Sequence, residues 1–188
     1  MNTITSNQQA RLQRPLQKLT KSPNILSLYR RALLAKGSKQ ATPKLPTTRI
    51  TLADIKADSK TAASYREVCG FNQDPSRLPI TFPHIMAFPL HLELMLLKNF
   101  PFAVMGMVHI HNSITQYRAI HQYETMDVSC YFSGIKKTDK GYEIDIKTEV
   151  YITGERVWES ISTNLVRKKT DIAPPAKNND ATESEEYA

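Results

Sequence analysis

The sequence predicts an α+β domain in which an antiparallel sheet curls around one long helix. Three observations carry that prediction. Residues 78–112 open on Pro79 and Pro83 and continue as an apolar run through Met95 and Leu97, with no polar face of their own. From Val104 onward the apolar residues fall at period two rather than at helical spacing. The later segments are joined by short turns that carry Gly141 and Gly154. A helix that is apolar all round needs burial on several sides, and a sheet wrapped around it supplies that burial.

Residues 1–21 are polar and basic, with Arg11, Arg14, Lys18 and Lys21, and contain no acid. They lack the apolar stretch of a secretory signal. An acid-free basic start superficially resembles a mitochondrial presequence; the simpler reading is a partly ordered extension. Ser22-Pro23 is a helix start, because Ser caps and Pro fits the first turn. Ile25, Leu28, Tyr29, Ala32 and Leu33 then recur at helical spacing, and Gly37 is a stop. Residues 38–47 hold two prolines and read as a linker.

Arg49 to Leu52 reads as a first strand, and residues 61–69 as a short helix ending at Gly70. Phe71 to Leu78 is a loop leading into the central helix. Four strands follow, expected as a meander: Val104 to Tyr117, Thr125 to Ile135, a segment around Tyr142, Ile144 and Ile146, and Val157 to Val166. Residues 170–188 are rich in Pro, Asn, Asp, Glu and Ser, the composition of a disordered tail. The expected organisation is therefore a basic N-terminal extension over 1–47 with a helix near 23–36, a domain over 48–169, and a disordered acidic tail over 170–188.

A length of 188 residues suits one domain with a real core. No apolar run reaches the roughly 18 residues of a membrane span; His91 and Glu93 interrupt the longest candidate. Cys69 and Cys130 match neither a disulfide framework nor a metal spacing, so a reducing, cytoplasmic compartment is expected. The net charge of +7 is unevenly spread. Residues 1–60 hold 12 Lys/Arg against Asp54 and Asp58, whereas residues 61–170 hold 12 against 11 acids. The basic arm lacks the interleaved aromatics of a single-strand nucleic-acid binder, so no nucleic-acid partner is expected.

Among the histidines, His84 at the helix start is the first functional candidate. His91 reads as a satisfied core residue. His109 and His111 alternate and should share a strand face; without a third ligand they read as structural, at a subunit interface, rather than as a metal pair. Met86, Met95, Met105 and Met107 fit either core filling or the lining of an apolar tunnel. Lys136, Lys137 and Lys140 flank a turn, either solvated or touching an anionic ligand. No phosphate-cradling Gly loop and no G-x-S-x-G elbow is present, and no cofactor or metal is expected.

Tyr65-Arg66-Glu67-Val68-Cys69-Gly70, the following loop, Leu78-Pro79-Ile80-Thr81-Phe82-Pro83-His84, Phe88-Pro89 and Phe100-Pro101-Phe102 together resemble the MaoC-like acyl dehydratases of the hot-dog fold. The resemblance covers roughly residues 48–169. Their motif reads Y-x-x-V-S-G-D-x-N-P-x-H, and its Asp and His act on water and substrate to hydrate or dehydrate a 2-enoyl thioester. Here Phe71 stands at the Asp position, and Ser76 or Arg77 at the His position. The chain thus resembles the degenerate N-terminal half of a double hot-dog member. The resemblance implies an acyl-CoA or acyl-carrier-protein thioester as ligand and a homodimer or a second hot-dog half as partner. It leaves Asp74 and His84 as the candidate catalytic pair, with Tyr65, Phe71, Phe82, Met86 and Phe88 as candidate substrate-binding residues. A non-catalytic acyl-thioester-binding or interaction module is the alternative.

Overall fold

The computed structural model describes residues 14–37, 42–72 and 74–173. Its elements, in chain order, are β1 (Leu16–Leu19), α1 (Ile25–Leu34), β2 (Arg49–Ile55), α2 (Ser59–Cys69), α3 (Phe82–Met95), β3 (Val108–Gln116), β4 (Met126–Thr138), β5 (Gly141–Ile152) and β6 (Glu155–Arg167). They form one six-stranded sheet in the order β1-β2-β4-β5-β6-β3 around α3. Most of the expected tail, residues 174–188, lies outside the described residues. No helix among the described residues is long and apolar enough to cross a membrane.

The helices start and stop where local chemistry dictates. The Asn24 side chain caps α1 by accepting from the Ser27 N–H, so the cap sits two residues beyond Ser22. Asp58 caps α2 through the Thr61 N–H at 2.8 Å. Gly70 ends α2 in the left-handed conformation, φ 67°, which a residue without Cβ adopts freely. Phe82, Pro83, Ala87, Leu90, His91, Leu92, Leu94 and Met95 of α3 are all buried, and Ile85 is the one residue of the helix left exposed. The inward residues of the sheet meet it, among them Val128, Cys130, Phe132, Ile144, Ile146 and Val150.

Two expectations change. The four-strand meander is a three-strand one: β4, β5 and β6 are joined by two-residue turns, while β3 pairs with β6 at the far edge. The cause is residues 117–125, too long for a tight hairpin. They bury Ile120 and pair with the loop before α3 instead, through Leu78 N–H to Ile120 O at 2.8 Å and Gln122 N–H to Ser76 O at 2.8 Å. The N-terminal segment also contributes to the sheet and core. β1 lies parallel to β2, and α1 places Leu28 and Ala32 in the core.

Polar groups fix the layers. His91 Nε2 and Thr148 Oγ1 lie 2.7 Å apart and tie α3 to β5 inside the core. On the opposite face of the sheet, buried Arg49 bridges to Glu149 at 2.7 Å and to Ser129 at 3.0 Å, with its guanidinium over the Tyr131 ring.

Removing one partner of a buried ion pair strands the other. Arg49→Met should therefore cost about 3–5 kcal/mol, and adding Glu149→Gln should recover part of it; urea denaturation of both variants measures this. Burial holds the His91 imidazole neutral, with its pKa lowered from 6.5 to about 3. The unfolded chain takes up that proton below pH 6.5, so acid favours unfolding from there down to about 3. His91 should add a slope approaching ~1.4 kcal/mol per pH unit in that window. Denaturation curves of His91→Gln across the same range should be flatter than those of the parent chain.

Candidate functional site

The loop that resembles a catalytic motif is built here as packing. The Phe71 ring stacks on Tyr65 at 6.1 Å between centroids, and Tyr65 leans on Phe82 at 5.5 Å. The Tyr65 hydroxyl meets the Thr81 hydroxyl at 2.8 Å, which ties α2 to the start of α3. Arg66 donates to the carbonyls of Pro75 and Arg77 at 2.8 and 2.7 Å and so clamps the loop from behind. Asp74 accepts from the Ser76 N–H at 2.9 Å and lies 3.4 Å from Arg77. Those bonds, the Ser76 N–H first, hold its carboxyl below the usual range, and it is fully exposed.

A second group of polar residues lies beneath the first turns of α3. In β6, Trp158, Ser160, Ser162 and Asn164 occupy alternate positions and so face the same way, toward α3. Trp158 Nε1 donates to the Ile80 carbonyl at 2.8 Å, which fixes that direction. The pairings Ile114 with Ser160, Asn112 with Ser162 and His109 with Asn164 bring β3 residues onto the same face. His84 enters from α3. Its ring stacks on His109 at 5.6 Å and meets His91 edge-on at 5.3 Å.

The expectation that His109 and His111 share a face is corrected. The register shifts between them, so His109 sits opposite Asn164 while His111 sits opposite Thr163. One extra residue, Ile110, is bulged out, and the bulge turns His111 to the other face. Among the described residues no cluster of three or more His, Cys, Asp or Glu is placed to hold a metal.

Hydrogen bonding sets the state of His84. Ser162 Oγ donates to Asn112 Oδ1 at 3.3 Å, and His84 Nδ1 lies 3.4 Å from the Ser162 hydroxyl oxygen. Ser162 has one proton, and it is committed to Asn112, so with this side-chain orientation Nδ1 carries the imidazole proton and donates it. Nε2 is then left with a lone pair. Burial lowers the His84 pKa, and His109 lowers it further, so the ring is neutral at pH 7. Nε2 has no hydrogen-bond partner among the described residues, and a neutral imidazole nitrogen of that kind is able to accept a proton from a hydroxyl or a water. Next to it along β6, Ser160 Oγ is buried and has no hydrogen-bond partner among the described residues.

The candidates named from sequence thus fall into three places. Tyr65, Phe71 and Phe82 form one aromatic cluster, with Phe82 only 2% exposed behind the other two. Met86 and Phe88 are half-buried further along α3, packed on the core. His84 stands in the polar layer. Asp74 and His84 share no hydrogen bond; their partners are Ser76 and Arg77 for one, Ser162, His91 and His109 for the other. Asn112, Ser160 and Ser162 went unnamed as site residues. Their signal was two serines on the strand phase that also holds Trp158, where apolar residues are the rule.

No family model matches the chain. It is 28% identical over 164 residues to 3-hydroxyacyl-thioester dehydratase X of Mycobacterium tuberculosis, a match covering 85% of this chain and 58% of the relative. The chain therefore spans little more than half the length of that curated protein. Two crystal structures of the same dehydratase align with TM-scores of 0.60 and 0.59, each at 28% identity. They cover 63% and 70% of this chain and 51% and 56% of theirs. The chain has the hot-dog fold, and in both sequence and structure it resembles the MaoC-like acyl dehydratases.

Proposed function

We propose that this chain is one hot-dog unit of a thioester dehydratase or hydratase, binding 2-enoyl or 3-hydroxyacyl thioesters without a complete catalytic dyad of its own. The observation that carries the reading is His84: a neutral imidazole, oriented through Ser162 and Asn112, with no hydrogen bond at Nε2 among the described residues. Nε2 accepts the O–H of a 3-hydroxyacyl group, or of the water that adds across a 2-enoyl bond. Ser160 Oγ offers a second polar contact nearby. Tyr65, Phe71, Met86 and Phe88 line the path of the acyl chain, with Phe82 backing them.

Hydration also needs a group that delivers a proton to the α-carbon, and no carboxylate hydrogen-bonds to the polar layer among the described residues. A second hot-dog unit supplies that group. It docks along β3, an edge strand that carries exposed Val108 and Ile110 and is paired on one side by β6. The alternative is a non-catalytic acyl-thioester-binding or interaction module. The stacking of Phe71 where the family motif has Asp favours it.

Crotonyl-CoA hydration separates these readings. The chain alone should bind the thioester and show no rate. Adding a hot-dog unit with an intact Y-x-x-V-S-G-D-x-N-P-x-H motif should restore hydration, and His84→Ala should lower that rate about 10²–10⁴-fold. Restoration that is indifferent to His84→Ala removes His84 from the chemistry and leaves the binding module. A rate from the chain alone that disappears in both Asp74→Asn and His84→Ala would instead make those two the dyad. The pH profile is a separate check. Because the His84 pKa is lowered from 6.5, the acid limb of the His84-dependent rate should fall below that pH.

A further inference from the structure

The face of α1 that points away from the core is apolar where water favours polar residues. Successive residues of a helix turn by about 100°. Leu28 and Ala32 therefore define the buried side, and Arg30 stands opposite to them. Leu26, Leu33 and Leu34 lie to either side of Arg30 and are 68%, 67% and 81% exposed. Tyr29, one turn before Leu33, is also exposed. The outward face is thus a ridge of leucines and a tyrosine with one arginine in its midst. A surface helix ordinarily turns a polar face to solvent. Scattered exposed hydrophobics are ordinary, whereas a contiguous ridge marks a contact.

The ridge is formed in advance of any partner. Asn24 caps the first turn, and Arg31 reaches inward to Glu93 of α3 at 2.7 Å. After the last turn, Gly37 lies so close to the loop beyond Phe100 that a Cβ would come within 2.8 Å of the Ala103 nitrogen. A helix held at both ends docks without first having to order itself. Positive charge surrounds it. Residues 1–53 hold ten Lys/Arg and no Asp or Glu. Lys21 lies before the cap and Lys36 after the last turn, and both are exposed. Arg30, Lys21 and Lys36 form no ion pair among the described residues, whereas Arg31 is paired with Glu93.

We infer that the outer face of α1 docks on an anionic lipid surface, lying in the interface without crossing it. Leu26, Leu33 and Leu34 enter the boundary between headgroups and acyl chains, and Tyr29 sits at headgroup level. Arg30 extends its guanidinium back to the lipid phosphates. Lys21 and Lys36 flank the contact and add electrostatic attraction. Charge argues against a second copy as the occupant, because pairing two such ridges brings Arg30, Lys21 and Lys36 near their own counterparts. Shape and charge together argue against an acidic protein. A convex ridge there needs a matching groove, whereas a fluid lipid surface takes it as it stands, and an acid-free stretch of this length suits an extended anionic plane. The contact does not rest on the thioester reading above.

Co-sedimentation of the full chain with vesicles tests this. Vesicles of phosphatidylcholine with about one-third phosphatidylglycerol should bind the chain, and vesicles of phosphatidylcholine alone should bind it about tenfold or more weakly. Leu26→Ser/Leu33→Ser should weaken binding to the anionic vesicles about tenfold or more. Its melting temperature should stay that of the parent chain, because both leucines are exposed. Val68→Ser/Tyr123→Ser removes two exposed apolar side chains elsewhere and should leave binding unchanged. Arg30→Glu should weaken binding at low salt, with a smaller difference at high salt. Leu26→Trp keeps the ridge apolar and reports on it. Its emission should shift to shorter wavelength on anionic vesicles, while the fully buried Trp158 gives a constant background. Absence of binding to the anionic vesicles, equal losses from the two serine pairs, or an unshifted Leu26→Trp emission overturns the proposal. So does a parent chain that is a dimer by analytical ultracentrifugation and becomes a monomer in Leu26→Ser/Leu33→Ser, since a second copy then covers the ridge.

Discussion

The structure depends on the burial of α3 on almost every side. A helix that carries Phe82, Leu90, Leu92, Leu94 and Met95 around its circumference gives water little more than Ile85. The sheet covers most of it, and α1 closes another side with Leu28 and Ala32. Such cover makes each polar residue on the helix a liability, because a buried polar group without a partner costs about 1–3 kcal/mol. Glu93 is answered by Arg31 of α1 at 2.7 Å. His91 is answered by Thr148 of β5. These two contacts use polar residues to dock α1 and the sheet on opposite sides of one apolar rod.

His84 and His91 lie seven residues apart, two helical turns, and so on nearly one face. They nevertheless differ in kind. His91 is wholly enclosed and bonded to a hydroxyl that also contacts Cys130 at 3.5 Å; burial pushes that thiol up to about 12, so neither group exchanges protons near neutrality. His84 is half-buried, near the open edge of the sheet, bonded at Nδ1 and without a hydrogen bond at Nε2 among the described residues. The same ridge of the helix thus holds one imidazole that serves packing and one that, under the proposed reading, would meet a ligand. The difference comes from β6, where serines replace the aliphatic residues that fill the same phase of β5. On β5 that phase reads Ile144, Ile146, Thr148 and Val150, all buried.

Much of the fold was legible because it rests on periodicity. The apolar run of α3 and the alternation of β5 and β6 are local patterns, and the elements stand where those patterns put them. What escaped rests on distant partners. Leu16–Leu19 has too few apolar residues to announce a strand; it forms one because β2 offers a free edge, with the Arg49 N–H bonding the Pro15 carbonyl at 2.8 Å. The placement of β3 beside β6 is set by what residues 117–125 pair with, and the pairing is invisible in the residues themselves. The site was legible in part for the same reason. His84 stood out by its place at a helix start. Asn112, Ser160 and Ser162 are ordinary residues in ordinary strands, and only the register brings them under it. A one-residue bulge was enough to separate His109 from His111.

The loop before α3 explains why the chemistry under the proposed reading is divided. A carboxylate at position 71 would need water or a donor, whereas a phenyl ring needs only a neighbour, and Tyr65 provides one. Phe71 stacks on Tyr65 and Arg66 clamps the Pro75 and Arg77 carbonyls, so the described part of the loop is held by packing and backbone contacts. The Asp74 carboxyl is held low by the Ser76 N–H and faces solvent, apart from His84. Acid-base catalysis wants two groups whose environments drive their pKa values apart. Under the proposed reading this chain would offer one of them, the His84 imidazole, and would use the position of the other for packing. A unit of that kind gains a complete site by exposing its imidazole beside an edge that another hot-dog sheet can extend, and β3 is such an edge.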